Sequence, residues 1–336
     1  MGFLDTVIKD SGNEFASIVS DGVAAGDVDH YVDTGSYIFN ALCSGSLYGG
    51  IPSNKVTALA GETSTGKTFF ALSVVRNFLE ANPTGGVIYF ETESAISKEM
   101  IESRGIDSNR MVLFPVSTIE EFRTQACRIV DKYMKEPKRE PMMFVLDSLG
   151  MLSTTKEMED ISNDKQVRDM TKSQLIKGAF RVLTLKLGQA KIPMIVTNHT
   201  YKTMNPYGDP TDMGGGSGLK YAASTIMTLT KSKEKDSSKE IIGNIIKVKT
   251  YKSRLTKENT QIATRLFFDS RGLDEYYGLL ELGEKYGVFE RKGNRIVVGN
   301  SSVYPSAILK DPDKYFTKEI MEKLDWAAGE EFRYGS

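Results

Sequence analysis

Eight residues of this chain, GETSTGKT from Gly61 to Thr68, combine two glycines, a lysine and a hydroxyl at the spacing GxxxxGK[ST]. At average composition these four fixed positions arise by chance in about one such chain in a hundred. The context argues against chance, because an apolar run precedes Gly61 and a helical stretch follows Lys67. In that arrangement backbone amides and a helix N-terminus cradle phosphate. Gly61 and Gly66 permit the close turn, the backbone of Glu62, Thr63, Ser64 and Thr65 lines it, and Phe69 follows it. Lys67 is expected at the β- and γ-phosphates, and the Thr68 hydroxyl on magnesium. The implied ligands are ATP and Mg2+.

A magnesium site calls for a carboxylate at a neighbouring strand end, and MMFVLDSLG offers Asp147 directly after an apolar run, the Walker B pattern. Hydrolysis needs an activated water opposite the γ-phosphate. The run VIYF ends in Glu91-Thr92-Glu93, two carboxylates that strand alternation alone does not separate. One acts and the other caps a loop, the role expected of Glu91. Asn198 and His199 follow another apolar run, at the kind of strand end where open α/β sheets hold ligands. They are suited to sensing the γ-phosphate, although a lone histidine is more often structural.

The elements that must position these groups are legible as four short apolar runs: Val56–Ala60, Val87–Phe90, Met142–Leu146 and Met194–Thr197. Helical stretches lie between them at Phe69–Glu80, Ile119–Met134 and Val167–Leu187, the last with Ile176, Ala179, Phe180, Leu183 and Leu187 on one face. The alternation predicts an α/β fold with a mostly parallel sheet. After Gly218, Ser224–Thr230, Ile241–Thr250 and Gln261–Asp269 read as antiparallel edge strands, joined by the charged loop KSKEKDSSKE and the basic stretch YKSRLTKEN. The expected division is an N-terminal arm or helix over residues 1–34, with apolar Phe15, Ile18 and Val19, a core over 35–272, and a small α+β subdomain over 273–336. The subdomain is expected to hold a helix and hairpin and then a helix near Glu319–Trp326.

Composition narrows the class further. The 336 residues carry 43 Lys and Arg against 44 Asp and Glu, a net charge of −1, so no global field draws nucleic acid and any such binding is local and salt-sensitive. Cys43 and Cys127 are far apart and only His30 and His199 could join them, which argues against a disulfide framework or a zinc site. No run of 18 apolar residues and no secretory N-terminus is present, so no membrane association and a cytoplasmic location are expected.

Two polar segments follow the strand ends. TYKTMNPYGDPTDMGGGSGLK is too rich in Gly, Pro and Asp for regular structure, and its Tyr201, Lys202, Tyr207 and Gly214-Gly215-Gly216 suit a polyanionic backbone. STTKEMEDISNDK leads into a helix with Arg168, Lys172 and Lys177, but its own acids balance these charges.

GETSTGKT, ETES, VLDSLG, VTNHTY and MGGGSGLKYAAS, in this order and spacing, resemble the RecA/UvsX recombinases, and among their branches most the bacteriophage UvsX branch. The resemblance runs from about Gly35 to Val298, and its specific parts are DSLG, TNHTY and GGGSG. It implies a RecA-like P-loop core and a DNA-dependent ATPase that forms a helical filament on single-stranded DNA and exchanges strands with homologous duplex. It also implies a single-strand-binding protein and a mediator as partners and, for a phage protein, action in the bacterial host cytoplasm. By position, Glu93 is similar to the family's catalytic base and His199 to the residue coupling the γ-phosphate to DNA. Lys252 and Arg254 match the pair that reaches the γ-phosphate of the adjacent subunit. Thr155 to Arg168, with Lys156 and extending towards Lys172, resembles the first DNA-binding loop, and Thr200 to Ser217 the second. The chain departs from the family at Met100, where a tyrosine stacks on adenine. A hexameric DNA helicase would share the core, and a non-catalytic ATP-binding recombination mediator is the third reading. GGGSG argues against the first, and retention of Glu93 and Lys67 against the second.

Overall fold

The computed structural model of the chain describes residues 2–23, 25–163, 171–202, 211–214, 217–235, 239–267, 271–298 and 301–335. In chain order its helices are α1 (Phe3–Ser11), α2 (Tyr37–Ser44), α3 (Lys67–Ala81), α4 (Lys98–Glu102), α5 (Ile119–Tyr133), α6 (Thr155–Ser162), α7 (Lys172–Ala190), α8 (Ser217–Ala222), α9 (Leu279–Lys285), α10 (Pro305–Lys310), α11 (Pro312–Tyr315) and α12 (Lys318–Phe332). The strands are β1 (Tyr31–Val32), β2 (Ile51–Pro52), β3 (Val56–Gly61), β4 (Gly86–Glu91), β5 (Met111–Pro115), β6 (Met142–Asp147), β7 (Met194–Lys202), β8 (Thr211–Met213), β9 (Thr225–Lys235), β10 (Ile241–Ser253), β11 (Gln261–Phe267), β12 (Glu290–Lys292), β13 (Arg295–Val298) and β14 (Ser301–Val303).

The main sheet runs in the order β11-β10-β9-β3-β7-β6-β4-β5, with β8 turned back on the end of β7. Its centre is parallel, as the alternating strand and helix pattern predicts, and β10 and β11 are antiparallel additions at one edge. Ser224–Thr230 departs from expectation, because β9 runs parallel to β3.

Strand alternation sends side chains into two cores. Met143 and Val145 of β6 join the layer containing α2 and α3, with Phe39, Phe70 and Phe78, while Phe144 and Leu146 join the layer containing α5 and α7, with Phe122, Phe180 and Leu187. Cores on both faces explain why the central strands are continuously apolar. Buried residues of the C-terminal elements, Leu279, Leu324 and Phe332, extend the first core across α2.

Near the N-terminus helix α1 spans Phe3–Ser11, ahead of the apolar Phe15 to Val19, and Phe3, Leu4 and Val7 are exposed. Three expectations are corrected. The segment after Asp147 is helical over α6, where a Thr154–Glu157 capping box satisfies the first-turn amides. The segment after His199 is regular at both ends, since β7 continues to Lys202, pairs with β8, and leads through Gly214 towards α8. The charged KSKEK and the basic YKS are strand rather than loop, lying in β9 and β10. Paired backbone groups there override polar composition, which reports only that the side chains are solvated.

Candidate nucleotide site and its links to the loops

Gly61 ends β3 and Lys67 begins α3, so the loop between them turns at the C-terminal edge of the sheet. Glycine is required at both turn positions. A Cβ on Gly61 would stand 2.8 Å from the Leu229 carbonyl oxygen, and Gly66 has φ +92° with Leu266 2.8 Å from where a Cβ would sit. The Thr65 hydroxyl donates to the Glu62 carbonyl at 2.9 Å, folding the loop on itself. Lys67 Nζ donates to the carbonyls of Gly61 and Glu62 at 3.0 and 2.9 Å. Burial, the largest influence on this ammonium, lowers its pKa against the opposing charges of Asp147 and Glu93.

The neighbouring strand ends bring the acids. The Thr68 hydroxyl and the Tyr89 phenol both donate to Asp147 Oδ2 at 2.7 Å, and the Thr197 hydroxyl donates to Oδ1. Burial and the adjacent Asp147 push the Tyr89 phenol far above its ordinary value, so it remains a donor. Glu91 and Glu93 separate here because β4 ends at Glu91. Glu91 is buried, its Oε1 accepting from the amides of Glu93 and Ala95 at 3.0 and 2.9 Å, which is the loop-capping role expected of it. Glu93 turns into the cleft, where its Oε1 accepts from the Ser148 hydroxyl at 2.7 Å and meets His199 Nε2 at 3.1 Å. Against an ionised carboxylate this Nε2 is the donor. Burial would raise the Glu93 carboxyl, but the Ser148 and His199 hydrogen bonds and the charges of His199 and Lys67 hold it below the ordinary carboxylate value.

Lys67, Thr68, Glu93 and Asp147 line a cavity of about 530 Å³, within the usual size range of small-molecule sites. Ser64, Gly66, Lys67, Thr68, Asp147 and Glu93 occupy one part, and Phe69, Met100, Ile241 and Leu266 supply its apolar surface. Met100 is held at the first turn of α4, whose N-cap Ser97 hydroxyl accepts from its amide at 3.1 Å. Sequence reasoning missed Lys231, Lys233 and Asn244, which reach the cavity from β9 and β10. It also missed Tyr89, Ser148 and Thr197, which hold the two carboxylates.

From the cavity a hydrogen-bonded path runs outward along β7. His199 lies in register with Gly61. Its carbonyl accepts from the Gly214 amide at 3.0 Å, and Asn198 Nδ2 donates to the Gly214 carbonyl at 2.8 Å, tying the strand to β8. Asp212 of β8 pairs with Lys220 of α8 at 2.7 Å, which lowers the Asp212 carboxyl, and Tyr201 is exposed beside it. Lys156 is exposed on α6, and Lys172 stands 3.8 Å from Glu157 across the gap to α7. Arg168, Tyr207, Gly215, Gly216 and the Lys202 side chain lie outside the described residues.

Lys252 and Arg254 do not join this chain's own cavity. Ser253 pairs with Thr225, which pairs with Thr57, four residues before Gly61 at the far end of β3. Lys252 Nζ donates instead to the carbonyls of Lys220, Tyr221 and Ala223 at the end of α8.

A parallel sheet whose central strand feeds a glycine-rich loop and helix, with a carboxylate on the hydroxyl at the helix start, defines a P-loop nucleotide-binding protein. Within that class the chain belongs to the RecA N-terminal domain family, whose profile matches residues 4–274. It is 32% identical over 257 residues to the "Recombination and repair protein" of Enterobacteria phage T4, covering 76% of this chain and 64% of the relative. It is 27% identical to "Protein RecA" of Thermotoga sp. strain RQ2, covering 73% and 66%. It is 26% identical to "Protein RecA" of Mesomycoplasma hyopneumoniae strain J, covering 82% and 81%. The phage and Thermotoga alignments thus span just under two thirds of those relatives. Among the described residues no helix is long and apolar enough to cross a membrane.

Proposed function

We propose that this chain is an ATP-dependent recombinase that forms a filament on single-stranded DNA and exchanges strands with homologous duplex. The observation that carries this reading is the path from Glu93 through His199 to the β7–β8 hairpin, which joins the nucleotide cavity to the segment assigned to DNA. Thr68 and Asp147 would hold magnesium. Their hydroxyl and carboxylate oxygens meet at 2.7 Å and form the hard-oxygen donor set that this ion prefers. When bound, the ion neutralises charge on the phosphates.

Lys67 leaves its loop carbonyls for the β- and γ-phosphates, and the amides from Glu62 to Thr68 surround them. Glu93 takes the proton of the attacking water, and its lowered pKa keeps it ionised and ready to do so. Phe69 and Met100 flank the base, without the aromatic stack of the family. Lys252 and Arg254, remote from their own cavity, stabilise charge at the neighbouring subunit's γ-phosphate.

Residues 155–168 and 200–217, with Lys156, Arg168, Lys172, Tyr201, Lys202 and Gly214 to Gly216, contact DNA. ATP binding is coupled through His199 to DNA binding by the second segment, and DNA must favour ATP binding by the same free energy. Residues 1–34 serve the filament contact, 35–272 the motor and 273–336 a small appended subdomain. A single-strand-binding protein and a mediator assist loading in a bacterial host's cytoplasm.

The deciding experiment measures ATP hydrolysis with and without single-stranded DNA, beside strand exchange between a circular single strand and homologous linear duplex. Stimulated hydrolysis with joint molecules is expected. Stimulated hydrolysis with unwinding and no pairing would replace the recombinase by a helicase, and binding without hydrolysis would leave a mediator.

A further inference from the structure

The side chains of β9 on the α3 face begin as core residues, with Met227 and Leu229 buried beside Phe70 and Phe39. Leu229 lies in register with Gly61, where β3 ends. Beyond that point the row continues as Lys231, Lys233 and Lys235, so the change from apolar to basic falls where the strand passes the P-loop. Their partners on β10 are also turned inward: Ile246 opposite Lys231 is fully buried and Asn244 opposite Lys233 nearly so.

Lysines on an edge hairpin are usually a solvated face. Two observations oppose that here. Lys231 Nζ donates to the carbonyl of Ser64, a P-loop residue in left-handed conformation at φ 60°, and both Lys231 and Lys233 line the cavity with Lys67 and Thr68. Charge gives the reason. Without Lys231 and Lys233, Lys67 alone among the side chains of the lining would face the two carboxylates of Glu93 and Asp147. With Lys231 and Lys233 the cations outnumber the carboxylates by three to two.

We propose that Lys231 and Lys233 form a second cationic wall of the nucleotide site, supplied by the same chain as the P-loop, which grips a nucleoside triphosphate in preference to a diphosphate. This rests on the reading of the cavity as a nucleotide site. Lys231 donates to the neutral Ser64 carbonyl of the P-loop, and a charged phosphate oxygen there would be a stronger partner. At about 3.3 Å rise per residue the two positions stand roughly 6.6 Å apart, so the two ammonium groups meet different parts of a polyphosphate rather than crowding one phosphate.

The test is calorimetric titration of the full chain with the β,γ-imido analogue of ATP and with ADP, both with magnesium. Lys231→Met with Lys233→Met is expected to weaken the triphosphate analogue about tenfold and ADP about threefold, the smaller loss reflecting the missing terminal charge. Lys231→Arg should restore most of the loss in that background. Lys249→Met, an exposed lysine on the opposite row of β10, should change neither. Wild-type affinity for both nucleotides in the double variant would overturn the proposal. So would an equal loss for both accompanied by a lower unfolding midpoint, or a loss confined to DNA affinity. If the wild type binds neither nucleotide and Lys67→Ala changes nothing, the nucleotide reading itself falls and this proposal with it.

Discussion

Tyr89→Phe removes one atom from the support of Asp147 and leaves the packing of the ring intact. The side chain is fully buried in β4, and its hydroxyl donates to Asp147 Oδ2 at 2.7 Å, the same oxygen that receives the Thr68 hydroxyl. A hydrogen bond to a charged group is worth about 1.5–3 kcal/mol, and here the carboxylate stays buried when its donor is deleted. Thr197 and Thr68 still hold the group. The expected loss is therefore near the middle of that range, about 2 kcal/mol in urea unfolding and roughly 3 °C in Tm. If Asp147 and Thr68 hold magnesium, loss of the phenol that orients Oδ2 should also raise the magnesium requirement for nucleotide binding. A double-mutant cycle with Asp147→Asn isolates the pair, with an expected coupling of about 1–2 kcal/mol. A single variant within about 0.5 kcal/mol of wild type, or a cycle that is simply additive, would refute the assignment of Tyr89 as the group orienting Asp147.

Gly61→Ala forces a Cβ to 2.8 Å from both the Leu229 carbonyl oxygen and the Thr65 hydroxyl. Denaturation should show a loss of about 1–3 kcal/mol, with nucleotide binding lost, and retained binding would contradict the tight turn. Lys67→Ala should abolish hydrolysis, and an unchanged rate would sink the catalytic assignment of the cavity. His199→Ala should preserve the fold but remove stimulation of hydrolysis by DNA, so an alanine variant with full stimulation and full strand exchange refutes the coupling path. The same variant has a signed pH effect. The depressed Glu93 pKa gives a stabilisation complete above the ordinary carboxylate range and lost as pH falls through the folded value. Removing His199 takes away two of the influences that depress it, so the acid limb of kcat/KM should move to higher pH.

The parallel centre of the sheet was readable because its strands are covered on both faces, which leaves continuous apolar runs such as Met142–Leu146 that survive in sequence. The P-loop was readable because its chemistry lies within eight consecutive residues. Edge strand β5 was not, since Met111–Pro115 is largely exposed and pairs on one side only. Helix α6 and the β7–β8 hairpin were hidden by polar composition, because capping and ladder hydrogen bonds satisfy a backbone whatever its side chains face.

By itself, then, the sequence determined those features whose cause is local: the glycine turn, the lysine and hydroxyl at a helix start, and carboxylates placed directly after apolar strands. Tertiary structure alone decided which strand ends converge. It set Tyr89, Thr197 and Ser148 around Asp147 and Glu93, turned Glu91 into a loop cap, carried Lys231 and Lys233 to the cleft from a strand more than 150 residues downstream of the P-loop, and kept Lys252 at the far end of the sheet. Strand order and register are fixed by burial summed over both faces of the sheet, and no short stretch of chain contains that sum.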